Sequence, residues 1–164
     1  MKLAPIFNHH MVFAANKPIL IWGQGKGEIT VRFAEFEQTV KAVNGTFVAA
    51  FRPLPYSGPH MLMVSSEDEE IILFDIFVGE VYLFAGQSNM QFKLGESNYP
   101  QYNYESNTAL RLFSTKRIEA GEPYTPEDGW VTAKEDALET WPALPYLTAR
   151  RIAEQNPGIA VGII

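Results

Sequence analysis

No cysteine occurs among the 164 residues. That excludes disulfides, thiolate zinc sites, iron–sulfur clusters and a cysteine nucleophile, and leaves the compartment open. Basic residues are in deficit: 13 Lys and Arg stand against 19 Asp and Glu, a net charge of -6. Phosphate neutralisation needs the opposite balance, so nucleic acid is not an expected partner. No run of about 18 apolar residues is present, and Met1-Lys2-Leu3-Ala4-Pro5 lacks the apolar stretch and small-residue cleavage site of a secretory signal. The chain as it stands is therefore expected to be soluble and cytoplasmic, without a membrane partner. A secreted or periplasmic location stays open if a signal was removed. Histidine is scarce as well, with His9, His10 and His60 the only three. The remaining composition, 46% hydrophobic and 20% charged, is that of a folded protein rather than a disordered one. Its length suits one ordinary domain or two small ones.

From Pro18 to Asp75 short apolar runs are broken at regular intervals by turn chemistry, the pattern of an antiparallel β-sandwich. Six strands are expected, at 19–22, 28–33, 38–43, 46–51, 60–65 and 70–74. In the second of them Ile29, Val31 and Phe33 alternate with Thr30 and Arg32, so one face is buried and one is wet. Asn44-Gly45 readily supplies the two positive φ angles of a type I′ hairpin turn. Gly23-Gln24-Gly25-Lys26-Gly27 lies between two strands, opens no helix and lacks phosphate-loop spacing, so it is read as a hairpin loop. Helical periodicity is absent throughout this half.

The style changes after Asp75. Val81-Tyr82-Leu83-Phe84-Ala85 is a nearly continuous apolar run, as expected of a strand covered on both faces. Further strands are expected at 110–114 and 159–164. Residues 141–155 read as a helix with Trp141, Leu144, Thr148 and Ile152 on one face, capped by Thr140, with Pro142 in its first turn and Asn156-Pro157-Gly158 ending it. This predicts a β-sandwich domain over 1–78 and the start of a parallel α/β sheet over 79–164.

Gly86-Gln87-Ser88-Asn89-Met90 follows the apolar run directly. In an open α/β sheet the loops at the carboxyl ends of strands form the ligand crevice, and a serine opening a helix there offers its N–H to a developing oxyanion. Taken alone, the motif reads better with Gly86 as a turn and Ser88 as a helix cap, because serine caps far outnumber serine nucleophiles. Tyr99, Tyr102 and Tyr104 follow in a polar loop, where their rings could stack on a sugar or simply pack the loop. His9-His10 point to opposite sides of an extended segment and lack a third metal ligand. Glu67-Asp68-Glu69-Glu70 has no EF-hand pattern and reads as a solvated acidic turn.

The segment from Asp75 to Met90 resembles the nucleophile block of the sialate O-acetylesterase family, a branch of the SGNH (GDSL-like) hydrolases. Met11-Val12, Lys17-Pro18 and Trp22-Gly23 are similar to that family's amino-terminal sandwich. Leu110-Arg111-Leu112-Phe113, Trp130, the 141–155 helix and Val161-Gly162-Ile163-Ile164 follow its later blocks in order. The resemblance implies a β plus α/β fold, an antiparallel sandwich followed by the first part of an SGNH-type three-layer α/β/α domain. It implies a carbohydrate O-acetylesterase in which Ser88 attacks an acetyl ester on a sugar, with Gly86, Gln87 and Asn89 as oxyanion or supporting residues and with no cofactor or metal.

His9, Ala14, Ala15, Tyr82, Pro142 and Pro145 depart from the family's usual residues, and none touches the nucleophile motif. The family's Gly-Gly-Thr, Gln-Gly-Glu and Asp-x-x-His blocks have no counterpart here, and no histidine follows Ser88. The chain alone is therefore expected to be inactive. A complementing carboxy-terminal polypeptide or a homo-oligomer that hides the 159–164 strand is the expected partner beside an acetylated carbohydrate. The competing reading is a carbohydrate-binding or assembly module without catalytic activity.

Overall fold

The computed structural model describes residues 1–97, 107–115, 126–134 and 138–164. The alternating half forms β1 (Lys2–Leu3), β2 (Val12–Ala14), β3 (Ile19–Gln24), β4 (Glu28–Phe33), β5 (Phe36–Lys41), β6 (Thr46–Phe51), β7 (Ser57–Ser65) and β8 (Glu70–Tyr82). One sheet is ordered β1-β3-β6, and the facing one runs β5-β4-β7-β8 with β2 added beside β8. Ile19, Ile21, Phe47 and Ala49 from the first layer share a single core with Ile29, Val31, Phe33, Leu62 and Val64 from the second. None of the nine is more than 3% exposed. At about 1.5–3 kcal/mol for each large aliphatic or aromatic side chain removed from water, this core is the main stabilising element of the half.

The turn at Asn44 and Gly45 forms as its residues dictate, with φ of 52° and 78°, closed by reciprocal backbone bonds between Val43 and Thr46. The strands it joins then part. β5 pairs with β4, and β6 pairs with β3 in the other layer. The turn therefore carries the chain across the sandwich, and Gln38 Oε1, accepting the Ala50 N–H at 2.9 Å, ties the layers near the crossing. The segment 23–27 does the same between β3 and β4, so it too is a crossing rather than a hairpin loop. Alternation marks which face of a strand is buried, and either sheet satisfies it.

β8 is 13 residues long and joins what the sequence reading separates into a strand ending at Phe74 and a run starting at Val81. The polar break at Asp75 is absorbed by a left-handed residue, φ 59°, where the β7–β8 register slips. The division at 78/79 falls inside this strand, where its partners change. β7 and β2 pair with it as far as Val78 and Gly79. From Glu80 onward its partner is β11 (Val161–Ile163), in parallel. Gly79 is required at this exchange, because a Cβ there would lie 2.1 Å from the Ala160 carbonyl oxygen.

The second half adds β9 (Asn107–Thr115), β10 (Pro126–Ala133), α1 (Ser88–Gln91) and α2 (Ala143–Gln155). β8, β11 and β9 are parallel neighbours, and β10 lies antiparallel outside β9. Pro126 and Gly129 argue against a strand at β10, and its position at the sheet's rim, with irregular register, accommodates them. β11 was expected to need covering. It instead lies between β8 and β9, paired on both sides.

The helix starts two residues later than its pattern predicts. Pro142 occupies the cap position without a side-chain bond, and Thr140 belongs to a 3-10 turn, Leu138–Thr140. The buried face is Ala143, Tyr146, Ala149 and Ala153, while Leu144 is 46% exposed. Small alanines let the helix sit close over Leu110, Leu112, Val161 and Ile163, forming a second core. The Thr148 hydroxyl instead donates to the Leu144 carbonyl. The fold is thus a β-sandwich followed by a partial α/β layer.

Candidate active site

Beyond Tyr82 the chain leaves β8 through 83–87, and Ser88 opens the single turn of α1. Three backbone bonds fix this path: the Phe84 N–H to the Ile164 carbonyl at 2.6 Å, Met90 to Gln87 at 2.8 Å, and Phe92 to Ser88 at 2.9 Å. A Cβ on Gly86 would come within 2.8 Å of Met90 Cγ, so a larger residue there would have to displace the Met90 side chain that packs on the loop. The loop forms one wall of an open crevice of about 760 Å³ at the carboxyl ends of β8, β9 and β11. Its polar lining comes from Gln87, Ser88, Gln91 and Ser114, and Leu83 and Pro142 are among its apolar contributors.

Ser88 is exposed, and among the described residues its hydroxyl has no hydrogen-bond partner. Gly86 and Gln87 line the crevice with it, whereas Asn89 does not. Four residues make too short a helix for a substantial dipole, so any donor here is a backbone N–H acting on its own. Tyr99, Tyr102 and Tyr104 lie outside the described residues.

The histidines are elsewhere, each with an occupant of its own. His10 Nδ1 lies 2.7 Å from Asp75 Oδ2. The His9 ring stacks on Phe74, and its Nδ1 accepts the Phe74 N–H at 3.1 Å. His60 Nε2 lies 2.9 Å from the Ser57 hydroxyl, its ring set edge-on against Phe33. Burial pushes the His60 pKa below its ordinary value, opposed by Glu35. No histidine lines the crevice. Among the described residues no group of three or more His, Asp or Glu is placed to hold a metal ion, and no helix is long and apolar enough to cross a membrane.

Arg111, which the sequence offers only as part of the 110–113 block, is the one buried charged side chain among the described residues, 2% exposed. Its Nη2 donates to Asp75 Oδ2 at 2.9 Å, and its guanidinium carbon sits 4.2 Å from the centroid of the Phe77 ring. Nε and Nη1 are buried without a partner. Burial lowers its pKa against the opposing pull of Asp75, yet a guanidinium stays protonated in proteins. β9 is thereby fastened to the bulge of β8, behind the crevice. The available signal was an arginine flanked by leucines in a strand covered on both faces, which calls for a carboxylate partner.

These features define a carbohydrate-esterase-like fold: a sandwich continued through one long strand into a parallel layer, with a serine loop at the strand ends. The particular likeness is to the crystal structure of a carbohydrate acetylesterase from Xanthomonas citri, at a TM-score of 0.90 and 26% identity. The match covers 99% of this chain and 39% of that one, so the chain spans well under half the length of that enzyme. No family model matches the chain, and no curated protein does.

Proposed function

We propose that this chain carries the nucleophile-bearing part of a carbohydrate O-acetylesterase of the sialate O-acetylesterase kind. The observation that carries the reading is the exposed Ser88 on a loop folded back at Gly86, opening into a crevice at the carboxyl ends of parallel strands. The likeness to an enzyme described as a carbohydrate acetylesterase supports it. In this reading Ser88 Oγ attacks the acetyl carbonyl carbon and yields its proton to a base. The tetrahedral oxyanion is held by N–H donors that include that of Ser88, supported by Gly86 and Gln87, which line the crevice with it. The ester C–O bond then breaks, the sugar oxygen takes up a proton, and water hydrolyses the acetyl-serine.

A base must reach Ser88 for this sequence to turn over, and no histidine lines the crevice. The chain by itself is therefore proposed to bind an acetylated sugar without releasing acetate, the acid and base arriving with a complementing polypeptide or an oligomeric partner. The same observation favours the second reading, a carbohydrate-binding or assembly module.

Amide chemical shifts of the chain, titrated with an O-acetylated xylo-oligosaccharide and separately with O-acetylated sialic acid, test the assignment. Gln87, Ser88 and Gln91 should shift with at least one of them and not with its deacetylated form. If neither sugar moves these amides, the crevice is not a site for acetylated carbohydrate. Acetate release by the chain alone, lost in Ser88→Ala, would show that a base is present after all.

A further inference from the structure

Arg111 is buried further than it is bonded. Its side chain is 2% exposed and its charge is met by Asp75 Oδ2, 2.9 Å from Nη2, yet Nε and Nη1 are buried and bond to nothing among the described residues. The Phe77 ring, 4.2 Å from the guanidinium carbon, covers a flat face of the group and leaves the N–H donors in its plane unserved. In the planar fork the Nε–H runs beside Nη2 and away from Nη1, so no single acceptor serves both free nitrogens. Bare donors on a buried cation cost more than the ordering of a water molecule does.

We infer that Arg111 holds internal water, at least one molecule at Nε and another at Nη1, in the seam between β9 and the bulge of β8. Two observations choose this occupant. The side chain is closed off within the chain itself, so a group carried by another polypeptide, the rest of a longer enzyme included, does not reach it without opening the seam. Asp75 already balances the guanidinium in a chain of net charge -6, so an anion there would bury a charge with no partner of its own. A buried water needs two or more polar partners. Asp75 offers one beside the guanidinium: among the described residues its side-chain bonds, to His10 and Arg111, both go to Oδ2 and leave Oδ1 as an acceptor. The join between the two apolar cores is then a hydrated polar seam rather than a continuation of either. This goes beyond the proposed function and needs neither a sugar nor a partner chain.

The test is NMR of the 164-residue chain with isotope-labelled arginine, read at the Arg111 Nε–H. Arg111→Lys identifies that resonance by removing it, and through-bond assignment identifies it should the variant not fold. A rotating-frame cross-peak to water is expected, with the sign of dipolar contact, which is opposite to that of proton exchange. The same Nε–H should exchange at least about tenfold more slowly than those of Arg52 and Arg151, which are 71% and 70% exposed. Titration with chloride or inorganic phosphate should leave the resonance in place. A slow Nε–H without dipolar contact to water overturns the inference, because its acceptor is then protein or absent. So does exchange as fast as in the two exposed arginines, and so does a shift that saturates with either anion.

Discussion

The two halves share a strand but close their cores differently. In the sandwich, two layers built from residues up to Val78 face each other around the inward side chains from Ile19 to Val64, and Phe113, Trp130 and Ala160 of the second half join the same cluster. In the α/β half, α2 covers one face of the parallel strands, while Leu83, Phe92 and Leu144 stay exposed and, among the described residues, no strand pairs with β8 beyond Gly79 on the side of β2. The difference shows where stability and chemistry separate. The buried sandwich core is the scaffold, and Ser88 sits exposed at the rim of the α/β layer.

The junction between the halves is the place to break that contrast. Gly79→Ala forces a methyl group against the Ala160 backbone, a clash no side-chain rotation relieves. We expect a loss above about 3 kcal/mol in urea unfolding, with both halves affected because β8 belongs to both. Asp75→Ala should cost about 2–3 kcal/mol, since it leaves the buried Arg111 charge without a carboxylate. That figure is kept low because Asp75 is itself 36% exposed. Asp75→Asn tolerates the left-handed backbone better and should lose less, which separates charge from strain.

Ser88→Ala should stay within about 0.5 kcal/mol of the parent, as an exposed hydroxyl with no partner contributes little. A larger loss would make Ser88 a structural cap. The smallest effect is at His60. Its pKa is lower in the folded chain than its ordinary 6.5, so its contribution is present above that value and fades as pH falls through the folded pKa. Going from about pH 7 to about pH 5, the parent should therefore lose slightly more stability than His60→Gln.

Several elements were legible because one short-range rule decides each. Ile29, Val31 and Phe33 alternate, and β4 has the bounds that alternation gives. Asn44-Gly45 adopts two positive φ angles because few other pairs do so readily. A glycine and a serine after a long apolar run place Ser88 at a strand end. What was not legible depends on partners distant in sequence. Alternation in β5 and β6 does not say which sheet each joins. The continuity of β8 rests on Asp75 finding His10 and Arg111, the latter 36 positions away. The face of α2 was misjudged because alanines contribute little to a hydrophobic pattern, yet they set how close a helix approaches a sheet. At the site, Ser88, Gln87 and Gly86 meet in one crevice, while Asn89 and the three histidines lie apart from it.

The most direct test of Ser88 as nucleophile is peptide-resolved mass spectrometry after brief exposure of the chain to p-nitrophenyl acetate, with imidazole added as an external base. A single acetyl group on Ser88, absent in Ser88→Ala and dependent on imidazole, is the expected outcome. Acetyl groups scattered over the lysines with Ser88 unmodified would contradict it.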